Sequence, residues 1–523
     1  MTNTTTRKDY LIFFILYSIS FSLLLLNFDG LYWDDWVILN QTTETKQIFF
    51  SEFKNDVLYY FHMYFTSLDN SAFWYRVFVF VSYFITGMFL NAILKNIKEL
   101  SSKDIFYITL LYLIMPVISS RIAISIIPFF FPLLIFYASF YMLTKYLKNN
   151  SYILRFIILG GFYISFYTNS ILVFYALVLI YIYYIKYGLL MSLEKIKEFS
   201  IRYVDFIVLP IVFFIIKVLY YKPTGLYAGY NSVGNTSIFK IIFNLFKSFD
   251  TSLFDVIHQS MYISLPFWLV IIMILFVYKK YKFKEENLSL NDNSKYLLFF
   301  GVLMFLLAVF PYVVVSKLPK VGTFASRFQL LTPLGLAFIF YFGIDLISKY
   351  FKFSLFVRQS LLFVLIFSFI GKNISDYYRW QIDSLYMTSV MMNFKNNNKI
   401  KDNSTFILNN NIINKLSYGR KPPFYEWNGM MKKVYFDDSR LVISYKAYQD
   451  IERVNKIKIY PQYNFSTWKQ KKPMLLNITY NYRKKRKSKS RIAKLMYYKF
   501  TDYNKYLIEV KKLTYLSIVN CKD

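Results

Sequence analysis

Runs of about 20 apolar residues recur along this chain, and no other feature narrows its folding options as far. A bilayer core has no water to satisfy backbone N–H and C=O groups, so a spanning segment must be a helix or part of a closed barrel. The runs here, such as Tyr10 to Leu26, are continuous rather than alternating, which selects helices. Composition agrees: of 523 residues, 56% are hydrophobic, 22% aromatic and only 18% charged, whereas a soluble chain carries about 25% charge. The expected fold class is an all-α polytopic membrane domain of about 11 transmembrane helices with a small C-terminal α/β extracytoplasmic domain.

Hydropathy places the spans at roughly 10–27, 74–94, 105–120, 122–144, 152–168, 170–187, 203–221, 262–278, 296–316, 330–348 and 359–375. Arg7 and Lys8 precede the first run, as in a signal peptide. No small-residue cleavage site follows, so the run is read as a retained span. The segments KNIKELSSK, KYLKNN, KYGLLMSLEKIKEFSIR, KKYKFKEENLSLNDNSK and KYFKFSLFVRQ all fall on the cytoplasmic side if the N-terminus does. That is the arrangement the positive-inside rule favours. The outer side then receives loops 28–73 and 222–261, the shorter KLPKVGTFASRF, and tight turns around Arg121 and Asn169. SIFKIIFNLFKSFDTSLFDVI and Ile48 to Phe65 read as amphipathic helices lying on the membrane.

Residues 1–376 are expected to form the transmembrane domain and 377–523 a basic soluble domain on the outer face of the cell membrane. In that tail, STFILNN and RLVISY have strand character, YYRWQIDSLYMTSVMMNF has helical periodicity, and RKKRKSKSR is too charged to pack. Of the net charge of +32, the tail from Tyr377 carries an excess of 20, from 30 Lys and Arg against 10 Asp and Glu. Lys-rich codon usage explains this as simply as anionic lipid or glycan contact does. Nucleic acid is excluded as a partner for a chain anchored in this way. Cys521 is the sole cysteine, and His62 and His258 the only histidines, so neither a disulfide nor a Cys- or His-based metal site is expected. Walker A, GxGxxG and HExxH sequences are missing, which leaves soluble nucleotide chemistry without a visible site.

The candidate chemistry lies in NFDGLYWDDWVILN, just past the first span. Adjacent carboxylates are too costly to leave in lipid. At a membrane exit, Asp34 and Asp35 suit a general base or a ligand for a divalent cation, although no cofactor is specified. The plainer alternative is a polar helix cap. Consecutive side chains point in different directions, so only one of Asp34 and Asp35 should react, and the other should orient it or cap the following helix. Trp33 and Trp36 could stack on sugar rings or simply mark the interface. Arg327, Arg121, Lys222, Lys317 and Lys320 are outer cations suited to a phosphate, with Arg327 best placed because it closes a shaped loop with Pro319 and Gly322. Each could instead snorkel to headgroups.

Acidic residues directly after the first span, many spans, long outer loops and a C-terminal soluble domain together resemble the GT-C superfamily of polytopic glycosyltransferases. At residue level the resemblance rests on YWDDW at 32–36. It implies a polyprenyl-phosphate sugar as donor, a glycan, lipid or polymer as acceptor, basic residues near the donor phosphate, inversion of the anomeric centre, and Asp35, near the start of the loop helix, as the reacting carboxylate. One departure is visible: PVISSRIAIS, between the third and fourth spans, has no acid where several members carry a second acidic motif. A transporter or flippase of lipid-linked glycans, or an O-antigen-type polymerase or ligase, is the alternative. A transporter would want charges lining a path through the spans.

Overall fold

The computed structural model describes residues 6–188, 192–229, 237–265, 292–395, 397–412, 416–449, 472–480 and 488–520. Among these, seven helices are long and apolar enough to cross a membrane: Arg7–Leu26, Ser71–Leu94, Ile127–Asn149, Asn169–Tyr187, Ser294–Val313, Thr332–Tyr350 and Leu355–Lys395. Leu193–Arg202 and Val204–Tyr220, bent by 65° at their junction, make an eighth if counted as one span. The expected span 152–168 is a shorter apolar helix, Tyr152–Ser165. The expected span 262–278 lies mostly outside the described residues, as does RKKRKSKSR up to Lys487.

The expected pair 105–120 and 122–144 is corrected. The first helix runs Ser102–Ile114, only 13 residues, and stops before Pro116, which cannot continue it. The next begins with a 3-10 turn at Ile127–Phe129 that contains Pro128. Between them Met115 to Ala123 are all buried. Apart from a short 3-10 turn at Ser119–Ile122, this stretch is irregular and folds back into the bundle, where backbone groups are satisfied by other protein atoms rather than by water. The Ser120 amide donates to Ser326 Oγ at 2.9 Å, and the Ser125 amide to Asp35 Oδ1 at 3.1 Å.

Small residues let the helices approach. A Cβ on Gly335 would sit 2.5 Å from the Phe305 amide nitrogen, so Ser294–Val313 and Thr332–Tyr350 pack backbone to backbone. Polar pins tie the helices together. Asn373 Nδ2 donates to Ser20 Oγ at 2.8 Å and to the Ile114 carbonyl at 2.7 Å. Arg155 pairs with Asp205 at 2.5 Å, and Arg358 with Asp345 at 2.9 Å.

Leu355–Lys395 is one helix of 41 residues, so the expected boundary at 376 falls inside a continuous element. It runs parallel to Arg7–Leu26, as Ser20 meets Asn373, Phe21 meets Tyr377 and Leu23 meets Gln381 in the same order. Its last turns carry a four-stranded sheet in the order β2-β1-β3-β4: β1 Thr405–Asn410, β2 Leu441–Ser444, β3 Met474–Tyr480 and β4 Thr514–Asn520. β1 pairs in parallel with β2 and β3, and β4 is antiparallel to β3. The α/β character read from STFILNN and RLVISY is present. Ile48 to Phe65 is divided between helices Thr43–Phe53 and Asp56–Thr66. The run from Ile238 is helical through Ser264 and turns Phe239, Phe243 and Phe246 outward.

Candidate functional site

Four distant segments meet on one face of the bundle. The first loop touches the C-terminal domain through Lys499 and Asp29, and through Asn40 Nδ2, 3.3 Å from the Gly429 carbonyl. The Trp33 ring stacks on Phe324 at 4.5 Å, joining the first loop to the 316–329 loop. Gly322, at φ +74, lies against the face of Tyr418, where any Cβ would collide with the ring. The Thr224 amide donates to the Glu52 carbonyl at 2.9 Å, which brings in the segment that follows Val204–Tyr220.

Trp33 adopts the left-handed backbone region, φ +50, a conformation that costs about 1–3 kcal/mol in a bulky residue and persists only when its surroundings hold it. Helix Asp35–Asn40 starts just beyond. Successive helical side chains diverge by about 100°, and the two aspartates part accordingly.

Asp35 turns inward and is fully buried. Its Oδ2 accepts the Tyr32 amide at 3.0 Å and its Oδ1 the Ser125 amide at 3.1 Å. Arg76, also buried, caps the same junction by donating to the carbonyls of Asn27, Gly30 and Ile122. Burial lifts the Asp35 carboxyl from an ordinary value of 3.8 to about 7, against the pull of backbone amides and Arg76. The raised value means that the folded protein binds a proton here that the unfolded chain has already lost. The Asp35 contribution to stability is therefore largest below about pH 4 and falls as pH rises toward about 7. The thermal midpoint of the parent, measured against Asp35→Asn in detergent, should drift downward over that interval and then level. A constant difference across it would mean that Asp35 is ionised throughout.

Asp34 faces outward and is partly exposed. Burial raises its pKa, while a hydrogen bond from Tyr425 and the nearby Arg327 charge oppose the rise. The Arg327 guanidinium lies over Phe324, 3.8 Å from the ring centre, and 4.8 Å from that of Phe328. The structure thus brings Arg327 to Asp34 rather than to Asp35.

The other sequence candidates separate from this centre. Arg121 was expected at an outer turn; it is buried, its guanidinium 4.4 and 4.5 Å from the rings of Phe21 and Tyr83, with Nε donating to the Ile118 carbonyl. Pro116 draws the segment into the bundle, and that places Arg121 there. Lys222 and Lys320 are exposed, and Lys317 lies 5.7 Å from the Phe328 ring. Trp33 and Trp36 were expected either to offer faces to a sugar or to mark the interface, yet both are buried. Trp33 packs against Phe324 and Trp380, and Trp36 against Gly429. Among the described residues no three His, Cys, Asp or Glu side chains are grouped as metal ligands would be.

The tail supplies what sequence reading missed. Helix Phe424–Tyr435 presents Tyr425 to Asp34, and the neighbouring Glu426 accepts the Trp33 amide. Glu426 is fixed by Arg420, whose Nη1 lies 2.5 and 2.8 Å from its two oxygens, while Arg420 Nε reaches Asp383 at 3.2 Å. The Arg420 guanidinium sits 5.6 Å from the Trp33 ring. Burial opposes its charge, but Glu426 and Asp383 keep it protonated. Arg379, exposed beside Tyr418, is a further cation on this face. GRKPPFYEW carried no periodic or motif signal that would have exposed these roles. Comparison with family models, curated proteins and solved structures finds no match to this chain.

Proposed function

We propose that this chain is a GT-C-like membrane glycosyltransferase, moving a sugar from a polyprenyl-phosphate donor to a glycan, lipid or polymer acceptor at the outer face of the cell membrane. One observation carries the reading: Asp34, a partly exposed carboxylate just past the first span, held by Tyr425 with Arg327 beside it. A carboxylate made more basic by burial is a better proton acceptor near neutral pH. A guanidinium grips phosphate in two places.

In this reaction Asp34 takes the proton of an acceptor hydroxyl as that oxygen attacks the anomeric carbon. The bond from that carbon to the phosphate oxygen breaks, and its electron pair leaves with the polyprenyl phosphate, whose charge Arg327 meets. A single displacement inverts the anomeric centre. Asp35 takes the positioning role, since both of its oxygens already accept backbone amides. A transporter would need charges along an open path, whereas the buried Arg121 is caged by aromatic rings.

The direct test is transfer by the purified full chain in nanodiscs, offered polyprenyl-phosphate sugars and candidate acceptors. Product formed by the parent and not by Asp34→Asn supports the reading; folded protein inactive with every donor overturns it. Arg327→Lys, which replaces a fork by a point charge, should weaken donor binding by about 1.5–3 kcal/mol. Unchanged donor affinity in Arg327→Ala would leave Arg327 only its stacking on Phe324. The finer topology is eleven spans with Met1 inside and the C-terminal domain outside. A reporter fused after Lys399 should then be active only on the outer side, and a cytoplasmic signal would reverse the orientation of the site.

A further inference from the structure

We infer that the corner between helices Ser488–Thr501 and Tyr503–Lys511 is a membrane-interface anchor, seating the C-terminal domain on an anionic lipid headgroup layer. The inference does not depend on the glycosyltransferase reading.

Height is the first argument. Phe28 follows the end of the first spanning helix at Leu26 almost directly, which sets it at the edge of the hydrocarbon core. Phe500 meets that ring edge-on at 5.5 Å, and Lys499 pairs with Asp29 next to it. The corner is therefore held at the level where headgroups begin.

Exposure is the second. Ile492, Leu495 and Lys499 are buried against the domain. On the other side Ala493, Tyr497 and Phe500 line up at helical spacing and face out, and Tyr503 continues the patch. Tyr497 is 63% exposed, and Phe500 and Tyr503 are 53% exposed. An amphipathic aromatic ring has its most favourable position at the headgroup layer.

The third is charge. Lys494 and Lys505 approach the Tyr498 ring at 5.5 and 4.6 Å, so two exposed cations flank the aromatic corner. Lysines at a membrane surface attract anionic lipid. The first helix, which the corner meets at Phe28, itself exposes the apolar residues Leu11, Ile15, Ile19 and Leu26. A soluble anionic polysaccharide could use the same rings and cations, but the height of the corner favours lipid.

The test uses the full chain with Cys521→Ser, labelled with a nitroxide at Tyr497→Cys, Phe500→Cys or, as a control beside β2, Tyr445→Cys. Tyr445 is 61% exposed and follows the strand at the opposite edge of the sheet from β4. Labels are read in nanodiscs of phosphatidylglycerol with phosphatidylethanolamine and in nanodiscs of phosphatidylcholine alone. Labels at 497 and 500 should collide more with dissolved oxygen than with a water-soluble nickel chelate, and more so with phosphatidylglycerol present. The label at 445 should show the reverse. Labels at 497 and 500 as open to the nickel chelate as the label at 445, in both lipids, would overturn the inference. So would protection that appears only when heparin is added, which would assign the corner to a soluble polyanion.

Discussion

Asp34→Asn should lower sugar transfer by about 10²-fold or more, the range for a lost general base, while the variant folds and reaches the membrane like the parent. The substitution keeps size and removes basicity, and the Asp34 side chain is partly exposed, so little packing is at stake. Asp35→Asn should behave in the opposite sense. An amide has one acceptor oxygen where the carboxylate has two, and the Asp35 oxygens receive the Tyr32 and Ser125 amides. The new NH2 group would face a backbone donor in a buried place, at a cost of about 1–3 kcal/mol. Yield of folded protein and thermal midpoint should fall first, and activity per folded molecule much less. Equal transfer by Asp34→Asn and the parent would remove the base from the mechanism. Normal folding of Asp35→Asn together with lost transfer would return the reacting role to Asp35.

Arg420→Met should be the most destabilising single change in the C-terminal domain. It strands Asp383 and Glu426, both without solvent exposure, where one guanidinium had served them. Breaking a buried ionic group by removing one partner costs about 3–5 kcal/mol. The damage should spread, because Glu426 also receives the Trp33 amide, and the adjacent Tyr425 holds Asp34. Unfolding of the detergent-solubilised protein, followed by tryptophan emission, would measure the loss. Adding Glu426→Gln to Arg420→Met should recover part of it by removing a stranded charge. A single variant as stable as the parent would show that the three groups do not act as an ionic unit.

Much of the bundle was legible because apolar length is a direct physical requirement of crossing lipid, as in Tyr10 to Leu26 and the run before Leu94. Apolar length cannot distinguish a span from a loop buried among spans, and PVISSRIAIS is such a loop: apolar, largely buried, and ordered only into a short 3-10 turn at Ser119–Ile122. Pro116 and Pro128 were the available signal. The helix that runs unbroken through 376 was hidden for a related reason. Charged residues begin to recur from Lys372 onward, yet a helix continues through them without breaking when the charges find partners, as Lys372 does in Asp376. The strands in STFILNN and RLVISY were visible from their β-branched and apolar residues. In the candidate site the aspartate pair stood out locally. Its partners Tyr425, Glu426 and Arg420 come from the far end of the chain, and no local pattern encodes a contact of that kind.

The unbroken helix Leu355–Lys395 sets how the molecule can move. At 1.5 Å per residue it is a rod about 60 Å long, reaching from the far side of the bundle to the sheet. A domain joined to its membrane part by a linker can swing open like a hatch; a domain mounted on a rod cannot, unless the rod bends or the bundle tilts with it. The Lys499–Asp29 pair and the Asn40–Gly429 contact fasten the other side of the mount. A large ligand of the proposed transferase would therefore come and go sideways, through gaps between loops, under a roof that stays in place.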